Sequence, residues 1–174
     1  TFNMPMAVIS MESGMTSAVI SAARKLPRLT VRHRGSSMIT VVSGLPRSGT
    51  SLLMQMIHAG GIPALTDALR TPDEDNPRGY LEFEAVKKTR QDPSWLAQAE
   101  GKVVKMVHLL LYDLPADRNY RVVFSRRNLK EVLASQRKML QRQGKPGAAI
   151  PDDQLARVFD DQLNKLFAWL NGQK

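Results

Sequence analysis

The clearest pattern in the chain is a run of β-branched and apolar residues, ITVVS (39–43), that stops at Gly44. A continuous apolar run of that length, with no polar alternation, predicts a strand buried on both faces, as in a parallel sheet. From Thr50 the spacing changes, and Leu52, Leu53, Met56 and Ile57 recur at helical intervals until Gly60 and Gly61 end the helix. Residues 62–80 hold Pro63, Pro72, Pro77 and Gly79 in a polar stretch, a loop long enough to suggest a functional one. A helix is expected over roughly 82–99. KVVKMVHLLLYDLP (102–115) reads as a second buried strand with its exit loop, and YRVVFSRR (120–127) as a third. The third strand feeds a helix with an apolar stripe of Leu129, Val132, Leu133 and Leu140, and Asn128 with Glu131 gives it an Asn-x-x-Glu start signal. GKPGAAIP (144–151) breaks the pattern, and Leu155, Phe159, Leu163, Leu166 and Leu170 mark a last amphipathic helix.

Residues 1–38 carry little pattern beyond one expected helix near 12–25, ended by Pro27. The chain therefore divides into a weakly patterned segment, 1–38, and an α/β domain, 39–174, with parallel strands flanked by helices in three layers. In such sheets the ligand sits beyond the carboxyl ends of the strands. Gly44–Ser51, the loop after His108, and Arg126–Arg127 are expected to converge there.

Composition narrows the reading. A chain of 174 residues suits one domain with a real core, and no apolar run approaches the roughly 18 residues of a membrane span. The absence of cysteine excludes disulfides and thiolate metal sites and suits a cytoplasmic protein. His33, His58 and His108 have no ligand spacing, so no metal is expected. Near the N-terminus the basic residues follow the apolar ones and Glu12 interrupts, which is not a secretory signal. The net charge of +9 is uneven: 24–34 hold five cations and no acid, while 126–145 hold seven cations against Glu131. Such clusters attract polyanions or a multiply phosphorylated small molecule. Nucleic acid is disfavoured, because the few aromatic residues fall mostly in apolar stripes and offer no stacking platform.

The chemistry concentrates in VVSGLPRSGTSLLMQM (41–56), a strand, a glycine turn and a helix start. The turn nearly matches the phosphate loop G-x-x-x-x-G-K-[ST], but Thr50 stands in the lysine's place and Arg47 lies inside the loop. Backbone N–H groups and the helix dipole bind phosphate there without the lysine. Its absence argues against a nucleoside triphosphate and a metal-dependent kinase, and for a shorter phosphate chain. In FSRRNLKEVLAS, Arg127 at the strand end and Ser135 two turns into the helix can grip a further phosphate. Two grips on one sheet edge suit a nucleotide phosphorylated on both its 5′ and 3′ sides.

GLPRSGTSLL resembles the 5′-phosphosulfate loop of sulfotransferases, and RRNLKEVLASQRKML resembles their 3′-phosphate segment. NPRGYLEFE and KVVKMVHLLLYDLP are similar to bacterial members of the family. The resemblance covers roughly 39–143. It implies a P-loop NTPase-like fold, the donor 3′-phosphoadenosine-5′-phosphosulfate (PAPS), and transfer of its sulfuryl group to a hydroxyl or amine of a small-molecule, carbohydrate or peptide acceptor. By position it implies that Arg47, Ser48, Gly49, Thr50 and Ser51 hold the 5′ side, and Arg127 and Ser135 the 3′-phosphate. Arg47 and Lys105 would stabilise charge in transfer. The base that takes the acceptor's proton has candidates in Asp67, Glu82 and Glu84, and in His108, whose three-residue spacing from Lys105 differs from the family's two. The family's chain also continues past a helix like 152–171 into another strand, so the resemblance implies a sheet short of its last strand, with an edge that a second copy could cover. A non-catalytic nucleotide- or polyanion-binding module is the alternative reading.

Overall fold

The computed structural model describes Met4, residues 6–11, and residues 38–173 apart from 68, 75 and 148. The helix expected near 12–25 and the basic cluster of 24–34 lie outside these residues. Four strands form the sheet: β1 (Met6–Met11), β2 (Ile39–Gly44), β3 (Val103–Val107) and β4 (Tyr120–Arg127). Their order is β1-β4-β2-β3 and every pairing is parallel.

The apolar runs of β2, β3 and β4 predict strands covered on both faces, and the side chains divide accordingly, because successive residues of a strand point to opposite sides. Val41, Val104, Val122 and Phe124 enter one core, with Leu163, Leu166 and Leu170. Val42, Val103 and Val123 enter a second core with Leu53, Met54 and Ile57. The helix α1 (Thr50–Ala59) thus covers one face. The other is covered by α2 (Leu96–Ala99), α3 (Leu129–Arg142) and α4 (Asp152–Asn171), whose apolar stripe is the expected one. Phe124 and Phe167 meet edge to face, with ring centroids 4.9 Å apart. Phe124 is fully buried, whereas Phe167 is partly so; burying a side chain of this size completely stabilises a fold by roughly 1.5–3 kcal/mol.

Two expectations change. The sequence pattern gives three strands, whereas residues 6–11, from the weakly patterned segment, form a fourth. MAVISM is as long as β2 and has an apolar run of its own, residues 6–9, but it lies in the weakly patterned segment and is only partly covered: Val8 is 43 % exposed, Met6 packs partly on one core and Ile9 partly on the other. β1 pairs with β4 from Met6 opposite Val122 to Met11 opposite Arg127 and so covers the edge of β4. The helix expected over 82–99 is instead a 3-10 turn, Glu84–Lys88, followed by the single turn of α2. Pro93 lies between them; it disfavours helical backbone at the residue before it, and Asp92 Oδ1 accepts from Ser94 N–H to start a new turn. Elsewhere α1, α3 and α4 begin and end within a residue or two of their expected bounds. Among the described residues no helix is long and apolar enough to cross a membrane.

Candidate functional site

The cleft opens beyond the carboxyl ends of β2, β3 and β4, as the parallel sheet dictates. It is about 480 Å³ in volume and is lined by the 44–52 turn, part of the 62–83 loop, Lys105 and Met106 of β3, Arg127 of β4 and Ser135 and Met139 of α3. Arg47, Arg70, Lys87, Lys105 and Arg127 face it against Glu82 and Glu84, an excess of positive charge that suits an anionic ligand.

The turn after β2 is fixed by close packing. A Cβ on Gly44 would lie 2.6 Å from Ser48 Oγ and 2.8 Å from the Ser125 carbonyl oxygen, so only glycine lets the turn approach β4 this closely. Ser125 Oγ donates to the Ser48 carbonyl at 2.6 Å, and Ser48 N–H donates to Leu45 O at 3.2 Å. Gly49 starts α1 with φ 98°, a conformation easy for glycine alone. The first-turn N–H groups of α1 have no acceptor within the helix and open at this end, where the dipole is positive. Arg47 also has positive φ, 68°, a strained backbone of the kind held at binding sites.

That backbone turns Arg47 toward α3. Its Nε donates to Ser135 Oγ at 3.0 Å, and its carbonyl oxygen accepts from Arg127 Nη1 at 3.3 Å. The Arg127 Nε is ion-paired with Glu131 at 2.9 Å, and Asn128 Oδ1 caps α3, accepting from Lys130 N–H. The two grips inferred from distant parts of the sequence therefore form one cluster. Gly49, Thr50 and Ser51 line the cleft beside it, while Ser48 is 1 % exposed, does not line it, and contributes its backbone to the turn.

Lys105 occupies the floor. Its Nζ lies 3.0 Å from Glu82 Oε1 and 3.3 Å from Ser51 Oγ, and it also donates to the Tyr80 carbonyl. Burial pushes its pKa below the usual lysine range, and the Glu82 carboxylate opposes that shift. Arg70 reaches the same carboxylate at 3.2 Å and stacks 3.4 Å from the centroid of the Tyr80 ring. Tyr80 is buried and donates its hydroxyl proton to Asp73 at 2.7 Å; burial, then this hydrogen bond, raises its pKa.

The four candidate bases separate in space. Glu82 and Glu84 line the cleft, Glu84 being paired with Lys87 at 2.7 Å. Asp67 does not line it; its carboxylate accepts from the N–H groups of Leu69 and Glu84 and staples the loop. His108 begins a 3-10 turn (His108–Asp113), is 3 % exposed, and pairs through Nε2 with Gln162 Oε1 of α4 at 3.0 Å. Its pKa is lowered by burial, partly offset by Gln162. The three-residue spacing from Lys105 carries it out of the strand and under α4, so the pairing with Lys105 that the resemblance implies does not form.

Arg70 and Tyr80 were not singled out by sequence reasoning. The length of the 62–80 loop pointed to their segment, but nothing local marks which of its residues fold back. Among the described residues no group of three or more histidine and acidic side chains is arranged to hold a metal ion. Compared with known proteins, the chain matches no family model, no curated protein and no solved structure.

Proposed function

We propose that this chain is a PAPS-dependent sulfotransferase on a P-loop NTPase-like scaffold, with the 44–52 turn seating the 5′-phosphosulfate and Arg127 with Ser135 holding the 3′-phosphate. The observation that carries the reading is the convergence of Arg47, Arg127 and Ser135 on one cleft at the N-terminus of α1. These are the residues the sequence motifs select for a doubly phosphorylated nucleotide, brought together from three separate elements. Preorganised N–H groups and guanidinium donors stabilise charge on the bridging and equatorial oxygens during transfer, and Lys105 stands beside Ser51 to add to it.

Glu82 serves as the base. Its carboxylate faces the cleft, unlike that of Asp67 or the ring of His108, and it lies at the end of the 62–83 loop where an acceptor would enter. The acceptor oxygen forms a bond to sulfur as the bond from sulfur to the bridging oxygen of the 5′-phosphate breaks. The acceptor's proton passes to Glu82, and 3′-phosphoadenosine-5′-phosphate (PAP) leaves.

Calorimetric titration with PAP, against ATP–Mg²⁺ for comparison, tests the donor site. PAP is expected to bind and ATP–Mg²⁺ to bind far more weakly; the reverse order would favour a small-molecule kinase and overturn the proposal. Sulfuryl transfer to a hydroxyl acceptor is expected to vanish in Glu82→Gln while PAP binding persists. PAP binding without transfer by the wild-type chain would leave the nucleotide-binding module as the function, a reading favoured by the two cations that already engage Glu82.

A further inference from the structure

Lys105 is shared between the phosphate loop and the candidate base, and that sharing has a consequence for donor binding. An ammonium has three protons, and Lys105 directs them at Ser51 Oγ, the Tyr80 carbonyl and Glu82 Oε1. An anion seated beside Ser51 must displace one of these acceptors to gain the charge of Lys105. Ser51 need not leave, because a hydroxyl that donates to the anion can still accept from Lys105. The Tyr80 carbonyl belongs to a buried residue, and stripping a buried carbonyl of its donor is costly. Glu82 is different, since Arg70 already holds it at 3.2 Å from Oε1 and 3.5 Å from Oε2. Arg70 is itself set in place: it stacks on Tyr80, whose hydroxyl is fixed by Asp73. A continuous relay thus runs from Asp73 through Tyr80, Arg70, Glu82 and Lys105 to Ser51.

We propose that Glu82 and the donor's anionic group compete for Lys105, and that Arg70 is a positioning residue which lets Glu82 surrender Lys105 while staying at the cleft. The inference rests on the donor reading above and adds Arg70 to it. Donor binding and arming of the base are then one event, because arrival of the anion removes one of the two cations from the Glu82 carboxylate.

The test is a four-cornered calorimetric cycle with PAP as the probe, on wild type, Arg70→Gln, Glu82→Gln and the double variant. Glu82→Gln removes the competitor and is expected to tighten PAP about fivefold, the upper range for a partly exposed ion pair. Arg70→Gln leaves Glu82 dependent on Lys105 and is expected to weaken PAP by about the same factor. In the Glu82→Gln background the same Arg70 change is expected to alter affinity by less than about twofold. Equal effects of Arg70→Gln in both backgrounds would mean that it attracts the ligand directly, and would overturn the relay, as would an unchanged or weaker affinity in Glu82→Gln. Arg70→Lys keeps the charge and is expected to stay within about twofold of wild type; failure to do so would trace the effect to lost packing on Tyr80 and would also overturn it. A wild-type chain that binds no PAP would overturn the proposed function and this inference together, whereas the other outcomes strike the relay alone.

Discussion

In the proposed function, Arg47, Arg127 and Ser135 would build a phosphate site without the P-loop lysine. Arg47 adopts a left-handed backbone inside the turn, and Arg127 holds the resulting carbonyl from the neighbouring strand. The guanidinium of Arg127 thus has two roles, bracing the loop and facing the cleft. Arg127→Ala is expected to weaken PAP by about 2 kcal/mol, roughly thirtyfold, as loss of a charge-assisted phosphate contact does; calorimetry that finds the affinity unchanged would remove Arg127 from the site. These residues were legible in the sequence because their motifs place them at a strand end, in the turn after a strand and on the helix that follows one, where topology dictates the cleft. Ser48 was legible as part of the motif but not in its role, since only packing against Ser125 tells which loop residues point inward. Arg70 and Tyr80 were illegible for the opposite reason: their position depends on how a long irregular loop folds back, and no periodicity encodes that.

At the scale of elements, the dense apolar runs of β2, β3 and β4 and the stripes of α1, α3 and α4 announced themselves, because full burial on a sheet demands them. β1 did not, although residues 6–9 are apolar, because that run stands in a segment with no further pattern around it and a half-exposed edge strand gives no stronger signal. The region 82–99 misled because its apolar spacing fits a helix that Pro93 interrupts. His108 is the clearest case of an element overruling a motif. The 3-10 turn after β3 delivers it to α4, where it packs against Gln162 and supports the fold rather than the cleft. Burial holds its folded-state pKa below that of the unfolded chain, near 6.5. Below that pH the unfolded state takes up the proton first, so His108 stabilises the fold above about pH 6.5 and that contribution is lost as pH falls through the lower folded-state value. Urea unfolding midpoints measured from pH 7 to pH 5 are therefore expected to fall less steeply in His108→Gln than in wild type; parallel slopes would show that other groups account for the acid sensitivity.

For the whole molecule, the charge of +9 and the cation-lined cleft would act together on the anionic donor of the proposed function. Long-range attraction of this kind works chiefly on the association rate and is screened as the Debye length shortens. Stopped-flow association of PAP is expected to slow at least about threefold between roughly 50 and 300 mM salt, with little change in the dissociation rate; a salt-independent association rate would confine the electrostatics to the contacts themselves. The sheet carries a different consequence. β1 is the first of the described strands, yet its partner is β4, so Met6 must wait for Val122 before it can pair. Closing that long loop delays its reward, which slows folding and leaves an apolar segment temporarily unmatched on the nascent chain. Assembly therefore has a natural sequence: β2, β3 and β4 can join around their shared core first, and β1 docks onto the finished edge of β4 as the closing step.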